Sequence, residues 1–133
     1  SSPFTLPADL DRAAEIMQTN GASLVVSMRD VDNPAPFVGP IEPDGRITQI
    51  VSQLKDLTNV NRQVLPHAYT LNGVVYLFRW DALKNRHTFY SDPARSFGFE
   101  TDPLLNIEID TELDLAWAQF LVEKHHLSLD PWL

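Results

Sequence analysis

Apolar residues alternate with polar ones along this chain in two periods, and the change of period marks the elements. Leu10, Ala13, Ala14 and Met17 recur at three- and four-residue spacing, which predicts a helix with one apolar face. Ser2 or Thr5 is placed to cap it, Pro7 suits its first turn, and Asp9 and Asp11 complement its N-terminus. Asn20-Gly21 ends it. Ser23–Met28 follows as a short β-branched run, apolar on both faces, the pattern of a buried strand in an α/β sheet. Four prolines (Pro34, Pro36, Pro40 and Pro43) then break any regular period, predicting a long loop with at most a short edge strand at Phe37–Val38. A strand over Gly45–Val51 is expected after the Asp-Gly turn, with polar, irregular chain over Ser52–Asn61.

The second half reads as strand Gly73–Phe78, a short helix over Asp81–His87, a strand over Ser96–Asp102, a strand over Asn106–Asp110 and a final helix from Thr111 to His126. Thr111 is expected to cap that helix, with Asp114 in the place of the usual capping-box Glu. Leu113, Ala116, Phe120 and Leu121 are its expected core face, and Leu127–Leu133 reads as a tail. The fold class implied is α/β, with helices packed on a sheet. A helix leading at once into a buried strand also implies an earlier strand, which this chain does not contain. The excursion between the two buried strands has the character of a lid, an arm or a dimer contact.

Composition narrows the roles. The 133 residues suffice for one domain with a hydrophobic core. No apolar run approaches the roughly 20 residues that span a bilayer, so no membrane role is expected. Ser1–Leu10 lacks the features of a signal peptide, and there is no Cys, which fits a cytoplasmic protein. The net charge is −8 and the ten Lys and Arg are scattered, which argues against nucleic-acid binding.

Three constellations carry candidate chemistry. In "IEIDTELD", Glu108 and Asp110 lie two apart on the expected strand, just before a helix, where open α/β sheets bind ligands. The pair either holds Mg²⁺ or forms a solvated acidic edge beside a helix cap. In "NRQVLPHAYTLNGVVY", Arg62 suits a carboxylate clamp or is a surface residue. Asn72-Gly73 reads there as a tight turn open to close approach, and Tyr76 as either ligand contact or core. Phe89 and Tyr90 could wall a sugar's acyl methyl group or simply pack. His67, His87 and the His125–His126 pair make no metal pattern, and neither a P-loop nor a GxGxxG is present.

Taken in order, "SSPFT", "LPHAYTLNGVVY", "TFY" and "IEIDTELD" resemble the motifs of the acylneuraminate cytidylyltransferase family, the CMP-sialic-acid synthetases and their relatives, from Ser1 to about Glu123. That resemblance implies a Rossmann-like, glycosyltransferase-A-like nucleotidyltransferase sheet, of which residues 1–133 are the C-terminal part. Residues 29–69 would form a dimerisation arm reaching the sugar site. It implies transfer of CMP from CTP to an acidic nine-carbon sugar with release of pyrophosphate, in a homodimer. By the same resemblance Ser2 lies near the nucleotide, and Arg62, Asn72, Tyr76, Phe89 and Tyr90 near the sugar. Glu108 and Asp110 hold the catalytic Mg²⁺, which lowers the pKa of the attacking sugar hydroxyl.

Three departures bear on this. Glu108 stands where the family has Asp, Thr5 where it has Arg, and the glycine-rich basic loop that cradles the triphosphate is absent. The chain is therefore expected to be incomplete and inactive alone. Two other functions stay open: a catalytically inactive dimerising domain of the same fold, and a nucleotidyltransferase for another sugar or base.

Overall fold

The computed structural model describes residues 1–31, 33–55, 57, 65, 67–86 and 88–132. They divide into two compact units, one of Ser1–Arg29 with Leu71–Leu133, the other Asp30–Thr70.

Helix α1 spans Pro7–Asn20. Its N-cap position is Leu6 rather than Ser2 or Thr5. The Thr5 hydroxyl instead donates to the Ser2 carbonyl at 3.0 Å, and the Asp9 carboxylate accepts from the Leu6 N–H. Gly21, at φ 59°, closes the helix in the left-handed conformation that its missing Cβ permits. The buried face is Ala13 with Ile16 and Met17. Leu10, expected on that face, is 54% exposed and lies outside that core cluster.

Strand β1, Leu24–Asp30, is the middle strand of three. Leu24, Val25, Val26 and Ser27 are all buried, as the two-sided apolar run required. On one side it pairs in parallel with β3, Ser96–Glu100, in the register Leu24↔Ser96 to Met28↔Glu100. On the other lies β2, Tyr69–Phe78. The Arg79 N–H donates to the Ser23 carbonyl at 3.0 Å and the Val75 N–H to the Ser27 hydroxyl at 2.7 Å, so β2 runs antiparallel to β1. The sheet is thus small, open and mixed, and the chain is α/β. Ala13, Ala22, Val25, Val75 and Phe99 form the core between α1 and the sheet, and the Arg12 guanidinium lies over the Phe99 ring. Helix α3, Trp80–Arg86, follows β2 as expected.

Helix α4, Glu112–Glu123, builds a second cluster, in which Ala118 and Leu121 pack with Phe4, Ile107 and Leu127. The expected face was displaced around the helix. Leu113 is 78% and Phe120 41% exposed, and Ala116 is exposed too, because the segment "SSPFT" delivers Phe4 to the side of the helix marked by Ala118 and Val122. His125 takes a left-handed φ of 58° just past the helix, and the His126 ring lies against Phe120.

The cap of α4 is as read from the sequence. The Thr111 hydroxyl accepts from the Asp114 N–H at 3.3 Å, and the Asp114 carboxylate accepts from the Thr111 N–H and hydroxyl, each at 2.8 Å. Those bonds from Thr111, and then one from the Asp110 N–H, hold the Asp114 carboxyl below its ordinary range. A depressed folded-state pKa contributes stability above the unfolded-state value of about 3.9, which is lost as pH falls through the folded value. Thr111→Ala is expected to lower the melting temperature by about 2–4 °C at pH 7. The difference from wild type should shrink as pH falls below the unfolded-state value of about 3.9, as a pair of thermal melts would show.

Within the Asp30–Thr70 unit two expectations are corrected. Phe37 lies in a 3₁₀ turn, Ala35–Phe37, and not in an edge strand, since Pro34 and Pro36 leave too few N–H groups for a ladder. Gly45–Val51 is not a strand. Its second half begins helix α2, Thr48–Leu54, and the Ile50 side chain sits over Gly39. The run Ile47, Ile50, Val51 and Leu54 has helical spacing, which the shorter strand reading overlooked. The Val31 N–H donates to the Ala68 carbonyl at 3.0 Å, and His67 contacts Asp30 at 2.9 Å. Among the described residues, no helix is long and apolar enough to cross a membrane.

Candidate functional site

Beyond β3 the chain makes a 3₁₀ turn, Pro103–Leu105, held by the Asp102 carboxylate accepting from the Leu104 N–H at 2.9 Å. Residues 106–110, expected as a strand, form none. The sheet ends at β3 among the described residues, and Ile109 bonds to Ser1 instead: its N–H donates to the Ser1 carbonyl at 2.7 Å, and its carbonyl accepts from the Ser1 amino group at 3.2 Å. The alternation nevertheless survives. Ile107 is buried and Ile109 half-buried in the α4 cluster, while Glu108 and Asp110 are exposed.

Both carboxylates line a cleft of about 380 Å³ with Arg29, Asn72, Asn106, Ile107, Asp114 and Trp117. Arg29 comes from the C-terminal end of β1, and Asp114 and Trp117 from the first turns of α4. This is the position at which open α/β sheets offer ligand sites. Asp110 also meets the Ser1 amino group at 3.3 Å.

Asn72-Gly73 is not a turn between elements; both residues lie inside β2. Gly73 has φ 70°, the left-handed value that marks a bulge within a strand. A Cβ at Gly73 would collide with a carboxylate oxygen of Glu108. The glycine therefore lets Glu108 lie against the β2 backbone, and the bulge and the acidic segment are built together.

Behind the cleft wall lies a buried polar network. Asn72 is only 2% exposed. Its amide nitrogen donates to the Thr101 hydroxyl and to the Asn106 carbonyl oxygen, both at 2.7 Å. Its own oxygen accepts from the Ser27 hydroxyl at 2.5 Å and from the Val74 N–H at 3.3 Å. Three stretches far apart in sequence, around Ser27, Asn72 and Thr101–Asn106, are thereby tied at one point.

An aromatic cluster adjoins the carboxylates. The Phe89 ring lies 5.9 Å from Tyr76, 5.2 Å from Phe78 in a stacked arrangement, and 4.4 Å from Tyr90. A hydrogen bond to Tyr90, then burial, then the charges of Tyr90 and Glu108 push the Tyr76 phenol above its ordinary pKa. Tyr76 is thus a neutral hydroxyl at pH 7, within electrostatic reach of Glu108.

Of the candidate residues, Glu108, Asp110 and Asn72 come together at the cleft, and Tyr76, Phe89 and Tyr90 form the neighbouring cluster. Ser2 does not line the cleft, although Ser1 borders Ile109. Arg62 lies outside the described residues. Sequence reasoning missed Arg29, Asn106, Asp114 as a lining residue, and Trp117. Arg29 carried a usable signal, since it closes a buried strand at the end where ligands bind. Trp117 carried another, three residues after Asp114 on one helix face.

Among the described residues no group of three or more His, Asp or Glu could hold a metal ion by itself. Glu108 and Asp110 offer hard oxygen donors on an open cleft, which fits a cation such as Mg²⁺ that keeps several waters and shares its shell with substrate phosphates.

No family model matches the chain. It is 28% identical over 137 residues to the CMP-N,N′-diacetyllegionaminic acid synthase of Legionella pneumophila, covering 97% of this chain and 53% of that protein. It is 27% identical over 138 residues to the post-translational flagellin modification protein B of Campylobacter coli, covering 96% of this chain and 52% of that protein. The chain thus spans about half the length of the curated relatives it matches. These relatives support the resemblance to the CMP-nonulosonic acid synthases along nearly the whole chain.

Proposed function

We propose that the protein containing this chain transfers CMP from CTP to an acidic nine-carbon sugar, a nonulosonic acid, releasing pyrophosphate. The observation that carries this reading is the convergence of Glu108 and Asp110 on one cleft beside the Tyr76, Phe89 and Tyr90 cluster. The Legionella relative, a CMP-sugar synthase by name, supports the nucleotide and the sugar class.

In this reading Glu108 and Asp110 hold Mg²⁺. When bound, the ion supplies charge neutralisation at the phosphates and favours the ionised form of the attacking hydroxyl. The protein's own contribution is positional. Glu108 is set by its contact with Gly73, and Asp110 by the Ile109 backbone bonds and by its own N–H, which donates to Asp114. Arg29 provides the positive charge that an anionic substrate needs in an otherwise acidic cleft. The aromatic cluster offers an apolar surface to an acyl group. The sugar hydroxyl oxygen forms a bond to the α-phosphorus, the bond to pyrophosphate breaks, and the hydroxyl proton passes to solvent. The sheet is then part of a larger Rossmann-like nucleotidyltransferase sheet. The Asp30–Thr70 unit serves as the dimerisation arm of a cytoplasmic homodimer.

The test is pyrophosphate release by the full-length protein given CTP, Mg²⁺ and N,N′-diacetyllegionaminic, sialic or pseudaminic acid. Release that requires all three components and is strongest with one acid is the expected result. No release with any of them sinks the reading.

A further inference from the structure

The hydrogen-bond directions in the buried network are fixed from one end. The Val75 backbone N–H can only donate, and it donates to the Ser27 hydroxyl oxygen. The Val74 N–H, which also can only donate, approaches Asn72 Oδ1, and the Ser27 proton goes to that oxygen at 2.5 Å in preference to the Val75 carbonyl at 3.3 Å. Asn72 Oδ1 is therefore the acceptor end, and both Asn72 amide protons point to Thr101 Oγ1 and Asn106 Oδ1. The Thr101 hydroxyl, having accepted from Asn72, donates to the same Asn106 oxygen. Swapping the ends of the Asn106 amide would set donor against donor, so its orientation is determined as well. One group in the network is left over. The Asn106 amide nitrogen is buried and has no hydrogen-bond partner among the described residues, on a residue that lines the cleft. Buried donors without a partner are uncommon in folded proteins, and each calls for an acceptor.

We infer that Asn106 reads the ligand. Its amide donates to a neutral oxygen of the bound sugar, a hydroxyl or an acyl carbonyl, and Asn72 is the positioning residue that aims it. The charge of the cleft selects a neutral acceptor. Glu108, Asp110 and Asp114 line the cleft beside Asn106, so an uncharged amide there would meet an anionic oxygen against three carboxylates, with only Arg29 opposing them. A polyhydroxylated, acylated sugar supplies neutral acceptors that CTP's phosphates do not. The inference rests on the proposed reaction for the identity of the sugar, but the contact can be tested apart from turnover.

In the full-length protein, Asn106→Leu keeps the approximate size and removes the donor without adding a charge. It is expected to raise the KM for N,N′-diacetyllegionaminic acid by about tenfold. The KM for CTP should stay within about twofold. A second measurement needs no folded variant. In wild-type protein carrying ¹⁵N-labelled Asn, the Asn106 side-chain amide resonances should move when this acid is added and stay in place when CTP alone is added. Turnover without movement, and with an unchanged sugar KM in the variant, overturns the contact and leaves an ordered water as the acceptor. Movement in a protein that releases no pyrophosphate keeps the contact and sinks the reaction. Unmoved resonances in an inactive protein overturn both.

Discussion

Asp110→Ala in the full-length protein is expected to cut metal-dependent pyrophosphate release at least about a hundredfold, with the melting temperature unchanged within about 2 °C. Activity and stability separate at this position for structural reasons. The Asp110 side chain is 73% exposed. Its structural contribution to the α4 cap comes from its backbone N–H, which donates to Asp114 at 3.2 Å and which Ala retains. The carboxylate is by contrast half of a two-carboxylate set, and the third acidic residue of the cleft, Asp114, is engaged by the Asp110 N–H and by Thr111 in the α4 cap. Losing residues that merely orient a metal ligand costs 10–100-fold in typical metal sites, so loss of a ligand should cost at least the upper end of that range. Raising Mg²⁺ should recover part of the rate, since Glu108 remains. An unchanged rate at the wild-type metal concentration would remove the metal role from this pair and with it the main support for the reaction.

The legible parts of this chain were those where local chemistry and tertiary context ask for the same thing. Gly21 at the end of α1, the Thr111–Asp114 capping box and the two-sided apolar run of β1 are each satisfied within a few residues or by burial alone, and each was found. Three of the errors share a cause of another kind. Residues 106–110 alternate as a strand does, but a strand also needs a partner, and its backbone bonds to Ser1 lie 108 positions away in sequence. The face of α4 was misplaced because Phe4, at least as distant, decides which side is buried. Asn72-Gly73 looks like a hairpin turn from composition. Its positive φ is used instead for a bulge that accommodates Glu108, a residue 35 positions further on. In each case the local pattern was real and a long-range contact reassigned it. The same holds for the site. Glu108 and Asp110 were visible as a motif, whereas Asn106 becomes a candidate only once the cleft brings it to that motif.

Asn72 is where this distinction has its largest expected consequence for stability. The resemblance to cytidylyltransferases places it near the sugar, yet at 2% exposure it is enclosed, bonded to Ser27 within β1, to Thr101 just past β3 and to Asn106. Asn72→Ala would strip partners at once from the Ser27 hydroxyl, the Val74 N–H, the Thr101 hydroxyl and the Asn106 carbonyl. Buried groups left unpaired cost about 1–3 kcal/mol each, partly offset where a neighbour can substitute, as the Val75 carbonyl can for Ser27 at 3.3 Å. A net loss of about 3 kcal/mol is expected from urea unfolding, with the denaturant slope unchanged. Asn72→Asp should do worse at pH 7, although it keeps the shape. The atom now donating to Thr101 and Asn106 becomes an acceptor facing acceptors, and the new charge lies in the protein interior. Burial raises the folded-state pKa of that carboxyl, so its penalty is greatest above the raised value and falls as pH drops through it and the group takes up a proton. The two variants should therefore converge in stability on acidification, down to the point where the Asp114 cap begins to fail. Asn72→Ala with unimpaired stability and a raised sugar KM would instead return Asn72 to direct contact with the ligand, and the network behind the cleft would lose its role in setting Asn106.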